Sequence, residues 1–147
     1  MKEKYDVPIA PESEFVSYMM EQMSQFGLPC TEEQAKDFYM YYARMIETNK
    51  YLNLTGITDM KEVVVKHMID SLSCYDPNII KSGMSIIDVG TGAGFPGIPL
   101  AIYDRSLKVI LFDSLKKRLT FLESVMDELK LTNCTTLHGR AEDLSHQ

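Results

Sequence analysis

The sequence predicts an α/β fold in which a small helical module, residues 1–78, precedes a parallel sheet begun in residues 79–147. Three observations predict it. Apolar residues recur at helical spacing through the first half, the texture after Met84 changes to short β-rich runs alternating with a helical run, and a glycine-rich loop follows the first such run directly.

Taken in order, Phe15, Met19, Met23 and Phe26 share one face of a helix over 13–25, which Gly27 and Pro29 stop. Thr31-Glu32-Glu33-Gln34 has the form of a capping box, and Ala35, Phe38, Tyr42 and Met45 continue that helix on one face until about Asn49. Asp59 then caps a third helix, whose apolar residues include Val64, Val65, Met68, Ile69 and Leu72. Strands are expected at 84–89, 107–112 and 134–138. Between the last two, Leu115, Leu119, Leu122, Val125, Met126 and Leu129 predict an amphipathic helix over 114–130.

Composition narrows the function classes. With 45% apolar and 24% charged residues, the 147-residue chain has the balance of a soluble globular protein rather than a disordered one. Cys30, Cys74 and Cys134 are odd in number and far apart, which suggests neither a disulfide framework nor a metal site and fits a reducing cytoplasm. No apolar run reaches the roughly 20 residues that span a bilayer, and Met1 to Ala10 lacks the apolar stretch of a signal peptide. A formal charge of −6 offers phosphates no broad attraction, so a nucleic-acid partner would have to be gripped locally.

The chemistry concentrates at Asp88-Val89-Gly90-Thr91-Gly92-Ala93-Gly94-Phe95-Pro96-Gly97. A strand that reads as buried, Ser85 to Val89, runs straight into three alternating glycines, Gly90, Gly92 and Gly94, where backbone can turn tightly and approach a ligand. The run from Gly92 to Gly97 also fits the dinucleotide pattern GxGxxG, so NAD or FAD must be weighed. Two acids favour S-adenosylmethionine. Asp88, two residues before the first glycine, suits the cationic amino-acid end of that cofactor, and Asp113, 23 residues beyond Gly90, can accept hydrogen bonds from both ribose hydroxyls. The second feature is shared with NAD proteins. After the third strand, Gly139-Arg140-Ala141-Glu142-Asp143 stands where a further loop would meet the adenine, although Ala141-Glu142 taken alone is only the start of a helix.

Four segments carry a family resemblance: Asn53-Leu54-Thr55-Gly56-Ile57, Lys66-His67-Met68-Ile69-Asp70-Ser71-Leu72, the loop with its Gly94-Phe95-Pro96-Gly97 extension, and Asp113-Ser114-Leu115-Lys116-Lys117-Arg118. Over roughly residues 30–147 the chain resembles the small-subunit (16S) ribosomal RNA guanine-N7 methyltransferases, also called glucose-inhibited division protein B. The resemblance implies a Rossmann-like methyltransferase sheet behind the helical module. It also implies that Gly90 and Phe95 contact S-adenosylmethionine from the first loop and Ala141 and Glu142 from the third. The reaction implied is methylation of one guanine at N7, with small-subunit ribosomal RNA or a ribosomal particle as partner. That nitrogen carries a lone pair and no proton, so no general base is expected and no catalytic residue is named.

Family members continue past Gln147 through further strands and a Ser-Arg-Ala segment, so the resemblance implies a C-terminally truncated chain holding the first half of the sheet. Strand order 3-2-1 would leave the first strand as an open edge. Little or no activity is expected of 1–147 alone, and the open edge offers a route to self-association, whereas a monomer is expected for the complete protein. Lys116, Lys117 and Arg118, with Lys61, Lys66 and His67, could pair with phosphates or form a solvated surface. His67 and Asp70 share a helix face and could orient one another, Asn53 suits an Asx-type turn, and Tyr39, Tyr41 and Tyr42 suit either base stacking or packing. Two further classes stay open: an NAD- or FAD-dependent oxidoreductase and a noncatalytic RNA-binding fragment.

Overall fold

The computed structural model describes residues 7–144, so the outermost residues of both predicted segments lie outside the described residues. Helix α1 (Glu12–Phe26) packs against α2 (Glu32–Thr48) and against a longer helix built of α3 (Met60–Glu62), a π-helical segment (Val63–Ile69) and α4 (Asp70–Leu72). Their ends follow the sequence signals. Gly27 closes α1 in the left-handed region, at φ 90°. Thr31 and Gln34 exchange side-chain-to-backbone hydrogen bonds of 2.9 and 3.0 Å, a complete capping box, and the Asp59 carboxylate accepts from the Glu62 amide at 3.2 Å.

The third helix departs from expectation. Val63, Val64, Met68 and Leu72 are buried whereas Val65 is 42% exposed. A π turn carries an extra residue, so it keeps Val63 and Met68, five apart, on one face and rotates Val65 outward.

The sheet follows the predicted order. Strand β1 (Ser85–Val89) pairs in parallel with β2 (Lys108–Asp113), and β2 with β3 (Cys134–His138), in the order β1-β2-β3. Helix α5 (Gly97–Tyr103) links β1 to β2, α6 (Lys116–Leu129) links β2 to β3, and α7 (Ala141–Leu144) follows β3. α6 begins two residues later than the pattern suggests, because Leu115 stays extended as its N-cap with its amide on Asp113 Oδ1 at 2.8 Å.

Strand order runs in one direction, so both crossover helices fall on one face of the sheet. α2 packs against both, and Phe15, Tyr41 and Met45 of the helical module share one apolar core with Ile98, Leu111 and Leu122. The other face is open among the described residues: Ile87, Val89 and Leu137 are 41–46% exposed. The expectation that β1 is buried therefore fails for Ser85, Ile87 and Val89, three of its five residues. It alternates instead, because only one face is covered.

Candidate functional site

Parallel strands deliver their C-terminal ends to one edge of the sheet, and there the loops after Val89, Asp113 and His138 lie side by side. The first loop is pinned at its root, where the Gly90 and Thr91 amides both donate to the Phe112 carbonyl at 2.8 and 3.0 Å. Gly90 (φ 70°) and Gly92 (φ 59°) occupy left-handed backbone, and a Cβ built on either meets no atom within 4 Å. Their faces are bare backbone toward open space. Gly94 (φ 108°) is the opposite: a Cβ there would lie 2.6 Å from Tyr41 Oη and 2.8 Å from Ile98 and Leu122. Packing, rather than access, demands glycine at that position.

The two acids are already engaged. Asp88, 8% exposed, accepts at Oδ2 from the Thr91 hydroxyl at 2.6 Å and from the Gly97 amide at 2.9 Å. Burial pushes its carboxyl above the ordinary value, the two hydrogen bonds partly offset this, and the Asp113 charge adds to it. Asp88 thus fixes the loop and covers the first amide of α5 with a carboxylate. Asp113, 2% exposed, accepts from the Gly92 amide and from the Leu115 amide, each at 2.8 Å, and pairs with Arg118 at 3.5 Å. Two of the predicted cofactor residues, Gly92 and Asp113, therefore touch each other. Ala141 and Glu142 open α7 on the exposed side of the third loop, with Glu142 3.7 Å from Arg140.

Phe95 is half-buried between His67, a parallel stack at 4.3 Å and 13°, and Tyr41, a tilted contact at 5.4 Å. Tyr41 is buried and donates its hydroxyl to the Ala93 carbonyl at 2.6 Å, and burial pushes its phenol well up, so it remains a donor. The helical module thus holds the loop from behind. Tyr39 and Tyr42 take packing roles: Tyr39 Oη donates to the Ala10 carbonyl at 2.8 Å, Tyr42 Oη accepts the Ala10 amide at 2.9 Å, and Tyr42 stacks on Phe15. The sequence gives no way to see which of three neighbouring tyrosines reaches the loop, since that depends on how α2 lies across α5 and α6.

Two expectations about the flanking segments are corrected. The turn before Thr55 is clasped by Asn49 rather than Asn53. Asn49 is 4% exposed, its Oδ1 accepts the Leu54 and Thr55 amides at 2.8 and 3.0 Å, and its Nδ2 donates to the Thr55 carbonyl at 3.0 Å. His67 is hydrogen-bonded to Thr55 Oγ1 at 2.8 Å rather than to Asp70, whose charge acts on it only at longer range. Desolvation lowers the His67 imidazole below its ordinary value, against a smaller raising effect of Asp70. In the basic run, Lys116 and Lys117 are exposed whereas Arg118 is tied to Asp113. No group of three or more metal-ligating side chains occurs among the described residues. No helix there is long and apolar enough to cross a membrane.

Known proteins share this arrangement's sequence. Residues 34–147 match the family described as rRNA small subunit methyltransferase G, GidB. Among curated relatives, the ribosomal RNA small subunit methyltransferase G of Lachnoclostridium phytofermentans is 45% identical over 127 residues, covering 86% of this chain and 52% of the relative. Its counterpart in Leuconostoc mesenteroides is 44% identical over 127 residues, 85% of this chain and 53% of that protein. The protein of the same name in a Thermoanaerobacter species is 46% identical over 129 residues, 88% of this chain and 54% of that protein. The chain spans about half the length of the curated relatives it matches. A family match over residues 34–147 of a 147-residue chain, on the strand-loop-helix frame just described, makes the chain a member of the rRNA small subunit methyltransferase G family.

Proposed function

We propose that this chain forms the S-adenosylmethionine-binding half of an enzyme that methylates guanine N7 in small-subunit (16S) ribosomal RNA. The observation that carries the reading is the bare, left-handed backbone of Gly90 and Gly92 beside the Asp113 carboxylate, at the carboxyl edge of a parallel sheet.

The residues present suit this cofactor better than a dinucleotide. A diphosphate needs free amides at the start of the helix that follows the loop. Here the Gly97 amide already belongs to Asp88, so a diphosphate would meet a buried carboxylate instead of a donor. An ammonium group would be welcomed by the same charge. In this reading Gly90, Gly92 and Phe95 form the floor, with Gly94 and Asp88 shaping the loop from within. Asp113 receives the ribose hydroxyls once it exchanges its Gly92 partner, and Ala141 and Glu142 read the adenine. The segment 1–78 then serves as a brace and 79–147 as the cofactor-holding half.

When bound, the cofactor supplies an electrophilic methyl group on a cationic sulfonium. The chain's own work is alignment, since guanine N7 offers a lone pair and there is no proton to remove. RNA would be gripped locally at the start of α6. Lys116, Lys117 and Arg118 occupy its first turn, the positive end of the helix dipole, where cations cost stability and attract anions. The partner is thus small-subunit RNA or a ribosomal particle in the cytoplasm. The complete protein acts as a monomer, while the open edge of β1 is where copies of the present chain would pair.

Calorimetric titration of the chain with S-adenosylhomocysteine and, separately, NADH tests this. Binding of the first and not the second is expected. NADH binding would replace the reading with an oxidoreductase, and RNA binding with neither cofactor would leave a noncatalytic RNA-binding module.

A further inference from the structure

Three distant parts of the chain meet at the His67 ring. It projects from the π-helical segment, its Nε2 lies 2.8 Å from Thr55 Oγ1, and its face stacks on Phe95 at 4.3 Å with 13° between the planes. The Thr55 support is itself fixed. The Asn49 side chain holds the backbone of Thr55 on both its amide and its carbonyl, and the Thr55 hydroxyl also accepts the Ile57 amide at 3.0 Å. Ring stacking alone contributes only about 1 kcal/mol and leaves the rings free to slide, so the plane of the imidazole is set by the hydrogen bond. A single π turn inside a helix is a costly local irregularity that recurs where a side chain has to be aimed. Here it separates the buried Val64 and Met68 from the exposed Val65 and Lys66, and leaves His67 half-buried against the loop.

We propose that His67 is a positioning residue: anchored by Thr55, its imidazole sets the ring plane of Phe95 and with it the shape of the cofactor loop. The inference rests on the reading of Phe95 as a cofactor contact. Thr55 lies 40 residues before Phe95 and nothing links the two in sequence, yet one imidazole joins them. The role also explains why a hydrogen-bonding ring, and not a plain apolar one, stacks on Phe95.

The test uses the full chain with its phenylalanine rings carbon-13 labelled, the Phe95 signals being assigned with Phe95→Leu. Thr55→Val should move the Phe95 ring signals and weaken S-adenosylhomocysteine binding on the order of fivefold, the scale of one lost side-chain hydrogen bond. Thr55→Ser, which keeps the hydroxyl, should restore both. His67→Phe should reproduce the Thr55→Val effect, and the double variant should lose no more than either single one. Tyr75→Phe removes a 3.0 Å bond to Asp104 at the opposite end of the sheet and serves as a destabilised control that moves neither reading. Unchanged Phe95 signals in Thr55→Val, or equal changes in Tyr75→Phe, would overturn the inference. Failure of the natural chain to bind S-adenosylhomocysteine would sink the cofactor reading instead, while the Phe95 signals, recorded without ligand, still decide the positioning role.

Discussion

The two halves of the glycine loop obey different constraints. At Gly90 the missing side chain faces open space, and at Gly94 it faces Tyr41, Ile98 and Leu122 within 2.8 Å. The first half is left open and the second is fixed by what already lies behind it. A glycine pattern in a sequence reports both needs with the same letter.

Substitution should separate them. The largest effect is expected for Gly94→Ala, where a methyl group in occupied space adds to left-handed strain and should cost roughly 3 kcal/mol in urea unfolding. Because Tyr41 Oη is the nearest atom, adding Tyr41→Phe should recover part of that loss, and strict additivity would show that the phenol is not the obstacle. Tyr41→Phe alone leaves the Ala93 carbonyl without its 2.6 Å donor and should cost about 1–2 kcal/mol. Gly90→Ala should cost only about 1 kcal/mol, from its φ of 70°, yet weaken S-adenosylhomocysteine at least tenfold. Intact binding in that variant would erase the contrast between the two halves.

The smallest effect is a slope with pH. Burial, against the Thr91 and Gly97 hydrogen bonds, holds the Asp88 carboxyl above its ordinary 3.8. The folded chain therefore binds this proton more tightly than the unfolded chain does. Its contribution to stability is present below 3.8 and is lost as pH rises through the raised value. Asp88→Asn, which does not titrate, should gain on the natural chain across that interval. A difference that stays flat with pH would mean that burial is not what governs Asp88.

The parts of the fold that local chemistry decides were legible in the sequence. Thr31 with Gln34, Asp59 and Gly27 mark helix ends through bonds to their own neighbours, and the alternation after Met84 marks three strands in the order found. What escaped depends on distance or on phase. The π turn left Val64, Met68 and Leu72 looking like an ordinary stripe and disclosed itself only through the exposure of Val65. Asn53 looked like the turn former because it is adjacent, whereas the clasp comes from Asn49, which has to be buried to do it. In the candidate site, the positions of Gly90, Asp88 and Asp113 were legible. That both acids spend their oxygens on loop amides was not, since such bonds follow from the tertiary path of the loop.

The three thiols differ in a way that makes the chain its own instrument. Cys134 lies buried on β3, where desolvation outweighs the nearby Arg105 charge and pushes the thiol up to about 12, and burial also raises Cys30. Cys74 is exposed, two residues beyond the helix that presents His67. A maleimide dye at neutral pH should therefore settle on one position without any cysteine being removed, and its fluorescence would report on that helix while ligand is added to the loop.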